Sequence, residues 1–537
     1  MAVELFLLVI SLLFFASIFT DKLSSKLGVP ALLLFLVVGM VFGEDGLGIQ
    51  FENVRLAQAF STVALCVILF QGGLSTKFKD IKPVVSEGVT LALIGVLITC
   101  LTAGLLIYFI LRWLHVSQEI SLAGALLMAA TMSSTDAASV FSILRTKGIS
   151  LKHHLKPILE LESGSNDPMA YILTTTLIGL VNAQEGLTWW FIGLTVVWQI
   201  IAGLAVGFLF GKFIIFLMRK VRLSNESLYP LLILTACIFI FSATFFIGGN
   251  SFLAVYVGGL VIGNSKFAHK RHSLKFFDGM SWLCQLSMFL ILGLLITPHN
   301  MKEAIIPGVI VSVVMIFIAR PAAVFLSMWP FKQYDWHDKV FLSWVGLKGA
   351  VPIILGIQCF AANVPNASFL FHIAFFCTLI SLLLQGATLE WVARKLRLDL
   401  PPVVSIDPTH FDIDLPEEIL DQAVEMQVTE QMTGSGKHLK DLSLPVGARI
   451  MLIRRGDRYI VPKGNTLIEL NDYLLLISED RSALIRQEEA KIWELQFIEH
   501  PITFLSERAH RRPAGEDLQN SHTKEINNEN NNKQDND

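Results

Sequence analysis

Three carboxylates, Glu160, Glu162 and Asp167, stand in the stretch LELESGSNDPMAYI (Leu159–Ile172), inside a run otherwise apolar enough to cross a membrane. A carboxylate near the bilayer centre costs roughly 2.5–3.5 kcal/mol even on the lenient insertion scale, so such groups face a bundle interior or a watery cavity and mark ion or proton paths. On helical spacing Ser163 shares a face with Asp167, and Glu162 shares the neighbouring face with Asn166. Pro168 has no N–H to give, which leaves the Gly164 carbonyl without its helical partner and adds an oxygen beside Asp167. A carboxylate, a hydroxyl, an amide oxygen and a freed carbonyl within one or two turns suit a hard cation.

Two further apolar runs are interrupted by polar or helix-breaking residues. TMSSTDAASV (Thr131–Val140) is polar at a depth where the bilayer is driest, and GLKGAVPIILG (Gly346–Gly356) holds a lysine, three glycines and Pro352. These are the fifth and the twelfth runs, seven apart, as expected of an inverted repeat of two six-helix halves around a linking helix. Paired broken helices of that kind point to a transporter site. Where such helices cross, their half-helix dipole ends face one another, and Asp136 and Lys348 are placed to neutralise those ends. Arg320, followed by Pro321, either satisfies freed carbonyls or pairs with a carboxylate of the core.

These residues need a polytopic scaffold, and the composition describes one. The 537 residues are 53% hydrophobic and 16% charged, with a mean hydropathy of +0.58, too apolar for an ordinary soluble protein. About thirteen apolar runs of spanning length extend from 4–20 to 367–391. Lysine and arginine collect in alternate loops, from Lys22 and Lys26 through Arg145–Lys156 to Arg394–Arg397, so the N-terminus is expected outside and everything after Arg394 in the cytoplasm. The first run carries Glu4 and no basic leader region, and reads as a retained helix. All six cysteines fall in apolar runs without CxxC spacing, so neither a structural disulfide nor a zinc site is expected.

Composition changes after Leu398. The expected domains are a membrane domain over 1–398, a small α+β domain over 399–485, a helical extension over 486–506 and a disordered tail over 507–537. In the second of these AVEMQV, ARIMLIRR, RYIVP and DYLLLIS alternate like strands, with KHLKDLSLP as a short helix. Arg454 and Arg455 are its candidate ligand-binding residues.

Ser163 with Asn166-Asp167, Thr135-Asp136 one helix earlier and GLKGAVP at 346–352 together resemble the NhaP-type sodium/proton and potassium/proton antiporters. The resemblance implies a homodimer of thirteen-helix protomers in the bacterial cytoplasmic membrane, with lipid, K+ or Na+ and H+ as partners and no nucleic acid. It makes Asp167 the shared cation and proton carboxylate, with Ser163 and Thr135 as further ligands and Asn166 orienting the site. Asp136 would cap the crossing, and Glu162 would pair with Lys348. Two departures stand out: the family commonly has arginine where this chain has Lys348, and Gln71 in LFQGGL replaces an acidic residue. Glu160 reads equally as a cytoplasmic funnel residue or as a group near the membrane face.

The soluble segment resembles the TrkA-C or RCK-C module, which dimerises and senses a small ligand, sometimes a nucleotide; no other cofactor is expected. The reading is a potassium/proton or sodium/proton antiporter, electroneutral and regulated by its cytoplasmic domain, and not an enzyme, since no nucleophile–base set or phosphate loop emerges. A strict sodium/proton antiporter, a gated potassium channel and a membrane sensor are the alternatives. The channel reading lacks a filter such as TVGYG, and the Thr135, Asp136, Asn166, Asp167 and Lys348 set argues against a mere sensor.

Overall fold

The computed structural model describes residues 2–27, 30–49, 53–114, 120–146, 149–182, 189–221, 223, 225–400, 423–428, 438–439, 449–456 and 458–477. The chain divides into two units, Met1–Pro402 and Val403–Asp537. The expected helical extension over 486–506 and the tail over 507–537 lie outside the described residues.

The first unit is helical. Among the described residues seven helices are long and apolar enough to cross a membrane, among them Phe78–Trp113, Lys302–Ser327 and Ala367–Lys395. Shorter apolar helices include Leu122–Thr131 and Val351–Ala361. Phe109, Phe213, Phe246 and Ile306 are exposed on this unit, whereas Glu162, Asn166, Arg320 and Lys348 are buried. That distribution inverts the soluble pattern and suits a bundle surrounded by lipid.

Both interruptions read from the sequence are present, and their causes are local. Helix Leu122–Thr131 begins at Ser121, whose side chain accepts from the Gly124 N–H. It stops where Thr131 and Ser133 turn their hydroxyls back to the carbonyls of Met128 (2.8 Å) and Ala130 (2.7 Å), side-chain bonds that compete with helix continuation. The chain runs without helix to Asp136, which accepts from the Ser139 N–H (3.2 Å) and starts helix Ala137–Thr146 as a cap. The second break separates Trp336–Trp344, opened by an Asp335/Asp338 capping box, from Val351–Ala361, which carries Pro352 in its first turn.

Helix Leu155–Asn182, which carries the three carboxylates, passes through Pro168 unbroken. The turn before it pairs as a two-residue strand, Ser150–Leu151, antiparallel to Asp399–Leu400. Lys152 extends this tie by giving its backbone N–H to the Leu398 carbonyl (3.0 Å) and its Nζ to the Arg397 carbonyl (2.9 Å).

In the second unit the strands Ala423–Gln427, Tyr473–Ile477, Arg449–Arg455 and Arg458–Ile460 form an antiparallel sheet in that spatial order. Leu474 and Leu476 face a core with Val428, Ile453 and Ile468, while Leu475 packs with Ala423 on the other side, the period-two alternation of a strand. Of the expected helix KHLKDLSLP only His438 and Leu439 are described, and His438 bridges to Leu467.

Candidate cation and proton site

The two non-helical stretches meet each other against the acidic helix. The Asp136 N–H donates to the Leu347 carbonyl (2.8 Å), and Lys348 Nζ donates to the Ser134 carbonyl (3.0 Å). Such close passage depends on a missing side chain, because a Cβ at Gly349 would stand 2.6 Å from Asp136 Oδ2. The acidic helix is fastened by Ser163, whose Oγ donates to the Thr135 carbonyl (3.0 Å) and accepts from the Ala137 N–H (3.1 Å). Asn166 Nδ2 donates to Thr135 Oγ1 (2.5 Å). Ser134 Oγ donates to Asp167 Oδ1. Ser163 and Asn166 therefore meet Thr135, and Asp167, on the same helix, meets the neighbouring Ser134.

Asp136 accepts from both the N–H and the hydroxyl of Ser139, a negative side chain at the positive end of helix Ala137–Thr146. Lys348 is held from behind: its N–H donates to Ser381 Oγ (2.9 Å), Ser381 donates to Gln385 Oε1 (2.5 Å), and Gln385 Nε2 donates to the Trp344 carbonyl (2.7 Å). Ser381 and Gln385 were not singled out by sequence reasoning. Their only signal is two polar residues four apart in the apolar helix Ala367–Lys395.

The expected Glu162–Lys348 pair is corrected. Glu162 is taken by Arg320, whose Nη1 and Nη2 reach its two oxygens at 2.5 and 3.0 Å. The planar guanidinium matches both carboxylate oxygens at once, which an ammonium cannot do. Arg320 Nη2 also donates to the Leu342 carbonyl (3.1 Å), so it serves a carboxylate and a carbonyl together. Both side chains are buried.

The remaining candidates lie elsewhere. Glu160 stands 3.7 Å from Lys156 with its side chain 28% exposed. Gln71 donates to Asp278 Oδ1 (2.6 Å) and is thereby turned toward helix Lys270–Leu295. Arg455, expected as a regulatory ligand group, is instead a strut of its own unit. Its donors go to Asp472 (2.8 and 2.9 Å), Glu469 (2.6 Å) and the Leu467 carbonyl (2.7 Å), and donating to the Asp472 carboxylate holds its guanidinium above the ordinary arginine range. Arg454 Nε donates to the Gly456 carbonyl (2.8 Å).

This arrangement can hold one small cation on oxygen. Asn166 is wholly buried and its Oδ1 has no partner among the described residues, an acceptor left open beside a carboxylate, two serine hydroxyls and the Thr135 carbonyl. Removing the Ser134 hydroxyl by Ser134→Ala is expected to raise the half-saturating cation concentration about tenfold, the equivalent of one hydrogen bond to a charged group. Titration of transport against cation concentration checks this, and an unchanged value removes Ser134 from the site.

Comparison with known proteins supplies the family. The "sodium/hydrogen exchanger, transmembrane" profile matches residues 9–395, and the TrkA-C domain profile matches residues 425–484. The chain is 38% identical over 480 residues to the K(+)/H(+) antiporter NhaP of Alkalimonas amylolytica, covering 89% of this chain and 81% of that one. It is 37% identical over 485 residues to the K(+)/H(+) antiporter NhaP2 of Shewanella baltica, covering 90% and 82%. Among solved structures, the sodium proton antiporter MjNhaP1 from Methanocaldococcus jannaschii at pH 8 superposes with a TM-score of 0.61, at 22% identity, over 71% of this chain and 99% of that one. The chain thus belongs to the sodium/hydrogen exchanger family and carries a TrkA-C domain behind its membrane unit.

Proposed function

We propose that this protein is a secondary-active antiporter that exchanges a monovalent cation, K+ in the first place, for a proton, with Asp167 as the carboxylate both compete for. Family membership supports antiport, and the names of the relatives at 37 and 38% identity favour potassium. The observation that carries the reading is a charge imbalance. Glu162 is matched by Arg320, while Lys348, within electrostatic reach of Asp167, is one positive charge set against two half-buried carboxylates, Asp136 and Asp167, so one negative charge of this set is left over. A charge in low dielectric resists movement until it is neutralised, and one cation or one proton is enough. The core therefore reorients with either bound and stays put with neither, which couples the two fluxes. Ser134, Ser163, Thr135 and Asn166 replace the cation's water with protein oxygens. Ser134 and Thr135 can turn backbone oxygens toward the site because the helix is open there.

The wider reading is alternating access by a homodimer of thirteen-span protomers in a bacterial cytoplasmic membrane, N-terminus outside, with the TrkA-C unit setting activity from the cytoplasm. The loop charges support the orientation and the family resemblance supports the dimer. Reconstitution in proteoliposomes with a pH-sensitive dye tests the exchange itself. Added K+ is expected to drive proton movement at a rate unaffected by an imposed membrane potential, and a rate that follows the potential overturns one-for-one exchange. Running Na+ beside K+ over a pH series, with and without the residues beyond Pro402, separates the strict sodium reading from the potassium one.

A further inference from the structure

Glu160, Gly164, Asp167 and Tyr171 follow one another along one face of helix Leu155–Asn182 at spacings of three and four. Helix Ser251–Gly263 lies on that face. Phe252 meets Tyr171 edge to face with ring centroids 4.8 Å apart, Asn250 Nδ2 donates to the Pro168 carbonyl (2.8 Å), and the Tyr256 ring fills the space over Gly164. A Cβ at Gly164 would stand 2.3 Å from Tyr256 Cε2, so glycine is what admits the ring. Tyr256 is 3% exposed, and its hydroxyl, although beside Thr76 and within electrostatic reach of Glu160, closes no hydrogen bond of ordinary geometry among the described residues. Leaving a buried hydroxyl unmatched is destabilising, so a ring of the same shape without it would be the more stable choice there. The position of Glu160 differs: Lys156 stands beside it, Asp80 is within electrostatic reach, and its side chain is partly exposed.

We propose that Tyr256 is the inner gate of the cation path, its ring closing the groove over Gly164 between Glu160, where a hydrated monovalent cation arrives, and Asp167. Rotation of the ring off Gly164 opens the groove, and its hydroxyl offers the passing cation one oxygen. The small residue and the large one act as a pair: glycine forms the slot and tyrosine the plug. This rests on Asp167 being the antiport carboxylate, but its test needs no transport.

Asp167→Cys puts a thiol behind the gate, and its reaction with a membrane-impermeant thiosulfonate is followed in inside-out vesicles, with the protein retaining Asp167 as the blank. Adding Tyr256→Ala is expected to speed labelling about tenfold, as follows when an open state populated about a tenth of the time becomes permanent. Tyr256→Phe, which keeps the plug, is expected to leave labelling unchanged; Tyr256→Leu serves if the alanine variant does not insert. Equal labelling with and without the ring overturns the gate, while failure of Asp167→Asn to stop transport overturns the antiport reading independently. In transport, Glu160→Gln is expected to raise the KM for the cation severalfold with maximal rate retained; a lowered maximal rate at constant KM removes Glu160 from the path.

Discussion

Replacing Asp167 by asparagine is expected to reduce cation-driven proton exchange to background while leaving a folded protein in the membrane. The side chains are nearly isosteric, and the amide oxygen still accepts from Ser134 Oγ, so the packing between the acidic helix and the first break is preserved. What disappears is the negative charge that a cation or a proton must neutralise. Asparagine holds the site in its neutral condition at every pH, so the core remains free to reorient but has nothing to carry. Dye-reported exchange in proteoliposomes, beside the elution profile of the purified variant, checks both halves of this expectation. Exchange at a tenth of the native rate or more, relative to about the hundredfold loss expected when one essential group of a site is removed, would rule out Asp167 as the carrier.

The second large effect concerns stability. Arg320→Met leaves Glu162 buried and uncompensated, which costs about 3–5 kcal/mol because the carboxylate was dehydrated on the strength of its partner. The melting temperature of the detergent-purified protein is expected to fall steeply, and the double variant Arg320→Met with Glu162→Gln is expected to recover most of the loss. Lys348→Met supplies the contrast. Its Nζ is spent on the Ser134 carbonyl, and Glu162 keeps its bidentate partner when the lysine is gone. A double-mutant cycle should therefore find strong coupling for Glu162 with Arg320 and weak coupling for Glu162 with Lys348; the reverse would contradict the pairing.

That contrast also marks how far the sequence could be read. Asp167, Ser163, Asn166 and Thr135 were legible because charge and hydroxyl in an apolar run are expensive, and expense of that sort is local. Both breaks were legible for the same reason, since TMSSTD and GLKGAVP contain the residues that end helices. Partners were harder. Arg320 lies 158 residues from Glu162, and nothing in the spacing says which of two buried cations turns toward which carboxylate. Lys348 sat in the more conspicuous motif and drew the pairing to itself. Ser134 shows a finer limit: TMSST advertises several hydroxyls, but only the path of the unwound backbone decides which of them points at Asp167. Gln71 stands in a family motif position, yet Asp278 on another helix captures its amide. Arg455 illustrates the converse, an arginine on a strand whose apparent availability ended once Asp472 and Glu469 folded around it.

The small ladder between Ser150–Leu151 and Asp399–Leu400 bears on how the membrane unit is completed during synthesis. Its strands close a loop whose ends, at Lys152 and Arg397, are 245 residues apart, and entropy is little obstacle, since closing such a loop costs only about 0.6 kcal/mol more than closing one half as long. Order of emergence is the stricter constraint, because N-terminal segments leave the ribosome first. The turn that joins the helix of Asp136 to the helix of Asp167 waits for its strand partner until the last helix and the residues after it have been made. A chain ending with that helix, at Lys395, would hold all the apolar segments and still leave the turn between its two site helices unpaired. Drawn by hydrogen bonds instead of hydropathy, the boundary of the membrane unit falls at Leu400.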